Sequence, residues 1–139
     1  MFVNRRTVRV EWGDCDPAGI VFYPRYFAFF DASTQHLFEA AGYPKPELRA
    51  KYDIVGYPMV DTRAKFMVPS KFGEDIVISS SITAFRRSSF DIEHKVYKGD
   101  VLAIEAWETR VWAGRHPDDP NAIKAKPIPQ DIIDRFNKG

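Results

Sequence analysis

PRYFAFFDASTQHLFEAA, residues 24–41, decides how the rest of the chain is read. Phe27, Phe30, Thr34, Leu37, Phe38 and Ala41 recur at steps of three and four, the spacing of one helical face. Pro24 suits a first turn, where a missing N–H costs nothing, and Gly42 suits a C-terminal stop. Tyr26, Phe27, Phe29, Phe30, His36 and Phe38 make much of the circumference aromatic or histidine, so the helix should be largely enclosed by other elements.

Upstream, RTVRVEW at residues 6–12 sets Thr7, Arg9 and Glu11 against Val8, Val10 and Trp12, the alternation of a half-buried strand. GDCDPAGIVFYP, residues 13–24, then carries Gly, Pro and Asp that force a turn. Downstream, residues 43–60 read as a loop with a short helical turn at 46–51. Residues 60–68, 75–86, 89–98 and 101–113 are rich in β-branched and aromatic side chains and mostly alternate, which predicts four strands. Gly99-Asp100 suits a hairpin turn and Arg87-Ser88 a tight reversal, which predicts an antiparallel meander. The proline-bearing tail reads as a loop followed by a short C-terminal helix. One strand, a long helix and a run of antiparallel strands is an α+β pattern, with a curved sheet of about five strands wrapped around the helix. Such a sheet leaves an open edge and an exposed face, so a homodimer or larger assembly is expected.

The chain has 139 residues, 45% hydrophobic and 28% charged, which fits one soluble globular domain over residues 1–139. Twenty basic and nineteen acidic residues leave a net charge of +1, so no overall attraction to nucleic acid or anionic membrane is expected. The first residues lack the apolar core of a signal peptide, and no stretch approaches the roughly 20 apolar residues of a membrane span. The single Cys15 allows no intrachain disulfide and fits a reducing, cytoplasmic setting.

Reactive groups concentrate in GDCDPAG, residues 13–19. Asp14 and Asp16 flank Cys15, Pro17 fixes the backbone after Asp16, and Gly19 permits conformations closed to other residues. If Asp16 to Gly19 cap a helical turn, the N–H groups of Gly19 through Tyr23 are left partly unpaired. A carboxylate beside spare amides is the minimum that acyl transfer requires: a base or nucleophile, and donors for a carbonyl oxygen. The same residues also suit a plain turn. Cys15 lacks the histidine signature of a thiol nucleophile, and His36, His94 and His116 lack metal-ligand spacing. Arg86 and Arg87, followed by Ser88 and Ser89, place two guanidinium forks at a strand reversal, suited either to phosphate or to a solvated turn. Asp31 lies among aromatics in the helix, where a carboxylate either faces solvent or meets a polar group of a ligand.

GDCDPAGIVFYPRYFAFFDAS, residues 13–33, resembles the entry loop and central helix of the DPAG-loop 4-hydroxybenzoyl-CoA thioesterases, a family of hotdog-fold acyl-CoA thioesterases. IVGYPMVDTRAKF, residues 54–66, and FRRSSF, residues 85–90, extend the likeness to about residue 113. The resemblance implies that Asp16 attacks the thioester or activates water on it. It implies further that the N–H of Tyr23 polarises the carbonyl while Gly19 shapes the loop. Arg86 and Arg87 match a turn that holds coenzyme A phosphates, with Ser88 standing where a third basic residue is expected, and Ser89 is a candidate to line the acyl pocket. Asp31 matches a carboxylate that receives a phenolic hydroxyl from an adjoining subunit.

The resulting expectation is an acyl-CoA thioester hydrolase acting on a 4-hydroxybenzoyl-like substrate as a homo-oligomer, dimer or tetramer. Coenzyme A enters as part of the substrate, and no metal or redox cofactor is involved. The alternatives are a short-chain aliphatic acyl-CoA thioesterase, a hotdog hydratase or dehydratase, and a non-catalytic acyl-CoA-binding protein.

Overall fold

The computed structural model describes residues 1–138. Strand β1 (Val3–Arg9) is followed by a 3-10 turn (Trp12–Asp14), helix α1 (Tyr23–Ala40) and helix α2 (Lys45–Tyr52). Strands β2 (Met59–Phe66), β3 (Asp75–Phe85), β4 (Ser89–Lys98) and β5 (Val101–Val111) come next. A hairpin of β6 (Ala113–His116) and β7 (Asp119–Ala125) and helix α3 (Gln130–Lys138) complete the chain. The main sheet is antiparallel in the order β1-β3-β4-β5-β2, and α1 lies against one face of it. The α+β reading holds. No helix among the described residues is long and apolar enough to cross a membrane.

Four expectations change. The meander holds for β3, β4 and β5, but β2 crosses to the far edge and pairs with β5. Six of its eight residues are exposed, the mark of an edge strand. The tail from 113 to 125 is a hairpin rather than a loop, so six strands follow α1. Pro117 falls at its turn and Pro120 in an outer strand, where a missing donor costs little. The first strand lies three residues earlier than the alternation implies, because Val3, Asn4 and Arg5 pair with Ser81, Ser80 and Ser79. Trp12 therefore sits in the 3-10 turn with 71% of its surface exposed. Finally, α1 is covered on one side only. Tyr26, Phe30, Ser33, Thr34, Leu37 and Phe38 are buried, while Asp31, Gln35, His36 and Glu39 face outward.

The core forms two apolar clusters along α1. One joins Val10, Val21, Tyr26 and Phe30 to Ile76, Ile78 and Val96, near the start of β3. The other joins Leu37 and Phe38 to Phe90, Trp112, Ile132 and Phe136, near its end. The DPAG loop is stitched to the start of β3: Val21 N–H donates to the Ser70 carbonyl and Ile20 bridges to Lys71. The Arg86–Ser88 reversal lies at the opposite end. At about 3.3 Å per residue, β3 holds the two ends roughly 33 Å apart.

Candidate active site

The two aspartates that flank Cys15 have different fates. Asp14 is buried, accepts from the Glu11 N–H at 2.9 Å, and takes the Nε and Nη2 of Arg25 on one oxygen at 3.1 and 2.9 Å. Those donors hold it as part of the scaffold. Asp16 is half-buried. Its Oδ1 accepts from the Ala18 N–H at 2.9 Å, while its Oδ2 accepts no hydrogen bond among the described residues. Asp16 thus builds the turn with one oxygen and keeps the other free. Cys15 Sγ lies 3.6 Å from the Glu11 carbonyl, in a polar contact that leaves it inside the turn.

Gly19 makes this turn possible. Its N–H donates to the Asp16 carbonyl at 2.9 Å and its φ is +81°, a left-handed conformation costly for a residue with a Cβ. The expectation of several spare amides is narrowed. The N–H groups of Gly19, Val21 and Phe22 donate to Asp16, Ser70 and Asp14 respectively. Tyr23, first residue of α1, donates to no backbone carbonyl among the described residues, as the geometry of a helix start requires. Its amide therefore sits at the positive end of the helix, without a partner. Ile20, Val21, Tyr23, Tyr26, Phe66 and Met67 wall a cavity of about 300 Å³ at this point. Ile20 and Val21 carry the end of the Asp16 loop into that wall, and Asp16 itself stands outside the lining.

Arg86 and Arg87 part company. Arg86 donates through Nη1 and Nη2 to the two oxygens of Asp91 at 3.0 and 2.6 Å, and through Nε to Ser89 Oγ at 2.8 Å. That fork holds the Asp91 carboxyl below the usual carboxylate range. Ser88 accepts the Trp112 N–H on its carbonyl, so both serines stiffen the reversal. Arg87 makes no ion pair among the described residues. It opens onto a groove of about 580 Å³ with Arg115, His116, Lys124 and Lys126. Asp53 is the one carboxylate there, with Lys126 Nζ at 3.8 Å from it. Asp31 stands on the outer side of α1, its Oδ1 2.8 Å from Nη2 of the buried Arg110.

A description of the thioesterase-like superfamily matches residues 10–136. The chain belongs to the thioesterase-like superfamily. This thioesterase-like chain is 36% identical over 132 residues to the 4-hydroxybenzoyl-CoA thioesterase of Pseudomonas sp. (strain CBS-3), covering 91% of this chain and 92% of that protein. A solved structure of an aspartate-to-asparagine mutant of 4-hydroxybenzoyl CoA thioesterase, complexed with 4-hydroxybenzoyl CoA, matches it with a TM-score of 0.89 at 31% identity, over 98% of this chain and 99% of that one. A gentisyl-coenzyme A thioesterase structure matches with a TM-score of 0.82 at 32% identity, over 97% and 100% of the two chains.

Two features of this thioesterase-like chain escaped the sequence reading. Arg115, Lys124 and Lys126 gather beside Arg87 only once residues 113–125 fold as a hairpin. Reading AIKAK, residues 122–126, as a strand with Lys124 and Lys126 on one side would have exposed the signal. The partner of Asp31 was missed because 79 residues separate it from Arg110. An arginine two places after a glutamate in a strand that is otherwise apolar on its inner face was the available clue.

Proposed function

We propose that this chain hydrolyses the coenzyme A thioester of a hydroxylated aromatic acid. The observation that carries the reading is the position of Asp16. It keeps one carboxylate oxygen free in a loop that runs through Ile20 into the unpaired Tyr23 amide at an apolar cavity. Asp16 either attacks the thioester carbon, forming an anhydride that water then cleaves to the free acid and the restored carboxylate, or takes a proton from the water that attacks in its place. The Tyr23 N–H donates to the carbonyl oxygen as it becomes negative, and the C–S bond breaks to release coenzyme A as thiolate. Gly19 holds the loop in place. The cavity is apolar enough for a ring, and similar proteins include thioesterases named for two hydroxylated aromatic acyl groups, 4-hydroxybenzoyl and gentisyl. The reading uses no metal or redox cofactor.

Arg87 and the cations of the neighbouring hairpin hold the phosphates of coenzyme A, and Arg86, Ser88 and Ser89 hold Arg87's turn. The Asp16 loop lies near the start of β3 and Arg87 just past its end, a strand roughly 33 Å long. A complete site therefore draws on more than one copy, in a dimer or tetramer. Tyr23, Phe66 and Met67, exposed at the cavity, and Phe22 packed on Tyr23 supply apolar surface for a second copy to cover. Asp31 reaches the acyl group from the adjoining copy. The lone Cys15 suits a cytoplasmic setting.

The test is a thiol-release screen with 4-hydroxybenzoyl-, 3-hydroxybenzoyl-, benzoyl-, phenylacetyl- and short aliphatic CoA esters. The reading expects the highest kcat/KM with a hydroxybenzoyl ester. Faster release from the aliphatic esters, or no release from any aromatic one, would overturn it.

A further inference from the structure

Between the two apolar clusters the inner face of the sheet carries a belt of polar groups that the proposed chemistry leaves unused. Ser80 Oγ lies 2.7 Å from His94 Nδ1, and Phe30 stacks on the imidazole with ring centres 5.2 Å apart. His94 Nε2 is 3.2 Å from Glu108 Oε2, an ion-pair distance outside hydrogen-bond geometry. Thr34 Oγ1 donates to Glu108 Oε1 at 2.7 Å, and Arg110 Nε donates to the same oxygen at 2.9 Å. Arg110 then donates Nη1 to the Tyr57 carbonyl at 3.2 Å and Nη2 to Asp31 Oδ1 at 2.8 Å. His94, Glu108 and Arg110 are buried, whereas the Asp31 side chain is 69% exposed.

Stability does not account for this arrangement. Burying ions carries a desolvation cost, and apolar side chains of the same volume commonly serve a core as well or better. What the belt does achieve is geometric. Glu108 Oε1 and the Tyr57 carbonyl fix the guanidinium through Nε and Nη1, and its remaining nitrogen grips one oxygen of a carboxylate that is otherwise free on a helix surface. Asp31 Oδ2 is left without a partner among the described residues, while Oδ1 is tied to Arg110. A carboxylate ordered in advance loses less freedom when it binds. Its charge is already shared with Arg110, so an incoming cation gains less from it than a well-placed O–H donor does.

We propose that Arg110, itself held by Glu108 and the Tyr57 carbonyl, is a positioning residue that presents Asp31 Oδ2 to the hydroxyl of the acyl group and thereby sets the preference for hydroxylated substrates. This rests on the aromatic thioesterase reading above. The experiment measures kcat/KM for 4-hydroxybenzoyl-CoA and benzoyl-CoA and takes their ratio, which a merely structural role would leave alone because it would weaken both esters together. Wild type should favour the hydroxylated ester by at least about tenfold. Asp31→Asn should abolish most of that preference. Arg110→Lys keeps the charge but lacks the fork that reaches Glu108 and Asp31 at once, and should lower the ratio by about fivefold or more. Adding Arg110→Lys to Asp31→Asn should lower it no further. If Arg110→Lys does not fold, the paired change Glu108→Gln with Arg110→Gln removes both buried charges together and should bring the ratio to the Asp31→Asn level. A folded arginine variant whose ratio stays within about twofold of wild type, while Asp31→Asn loses it, would overturn this inference and leave the thioesterase reading intact. A wild type that releases coenzyme A from neither ester would overturn both.

Discussion

Arg86 closes both terminal nitrogens on the two oxygens of Asp91, at 3.0 and 2.6 Å. Its neighbour Arg87 is left facing the hairpin groove. Adjacent guanidinium groups at one strand reversal therefore have opposite tasks. Arg86→Ala should cost about 1 kcal/mol or less, because the pair is half-exposed, and should appear as a drop of a few degrees in Tm. Arg87→Ala should leave Tm unchanged and raise KM for CoA esters about tenfold. Thermal unfolding and steady-state kinetics on the two variants decide it.

The hairpin cations give a companion expectation. Lys124→Glu combined with Lys126→Glu should raise KM for a CoA ester by tenfold or more, roughly the loss of one or two charge-assisted contacts. The same acyl group on N-acetylcysteamine, which has no phosphates, should be hydrolysed by wild type and variant alike. An equal loss on both esters would mean that the groove serves the fold rather than the nucleotide.

At Gly19 an added Cβ meets nothing within 4 Å, so Gly19→Ala confronts only the φ of +81°. That should cost about 1–2 kcal/mol, and the loop should relax by moving Asp16. The expected result is a kcat reduced about tenfold or more with KM little changed.

Glu108 sets the acid limit of stability. Burial pushes its carboxyl up, but His94 and Arg110 outweigh burial and hold it below the ordinary carboxylate value. A carboxyl whose pKa is lower in the folded than in the unfolded state binds fewer protons when folded. Its contribution is complete above the unfolded value of about 4.3 and is lost as pH falls through the lower folded value. Urea unfolding between pH 3 and 7 should show wild type losing stability below about pH 4.5, with a shallower loss in Glu108→Gln.

Much of this was legible in the sequence because it is periodic or local. The three- and four-residue recurrence in α1 locates the helix to within one residue, and the alternation in β3, β4 and β5 locates the meander. The turn that joins Asp16 to Gly19 follows from their own residue types. Features set by distant pairing were not legible. The place of β2 at the far edge depends on its contact with β5, whose paired residues lie 38 to 51 positions away. Trp12 continued an alternation that the 3-10 turn interrupts, and Pro120 masked a strand whose edge position tolerates it. Arg86 and Arg87 look equivalent in sequence, and only Asp91 across the hairpin separates them.

Asp16 carries the central claim, and Asp16→Asn tests it most directly because the change removes the charge and keeps the shape. Single-turnover hydrolysis of 4-hydroxybenzoyl-CoA by this variant should be slowed by about a thousandfold or more, with Tm and ester affinity close to wild type. A variant that turns over within about tenfold of the wild-type rate would contradict the account.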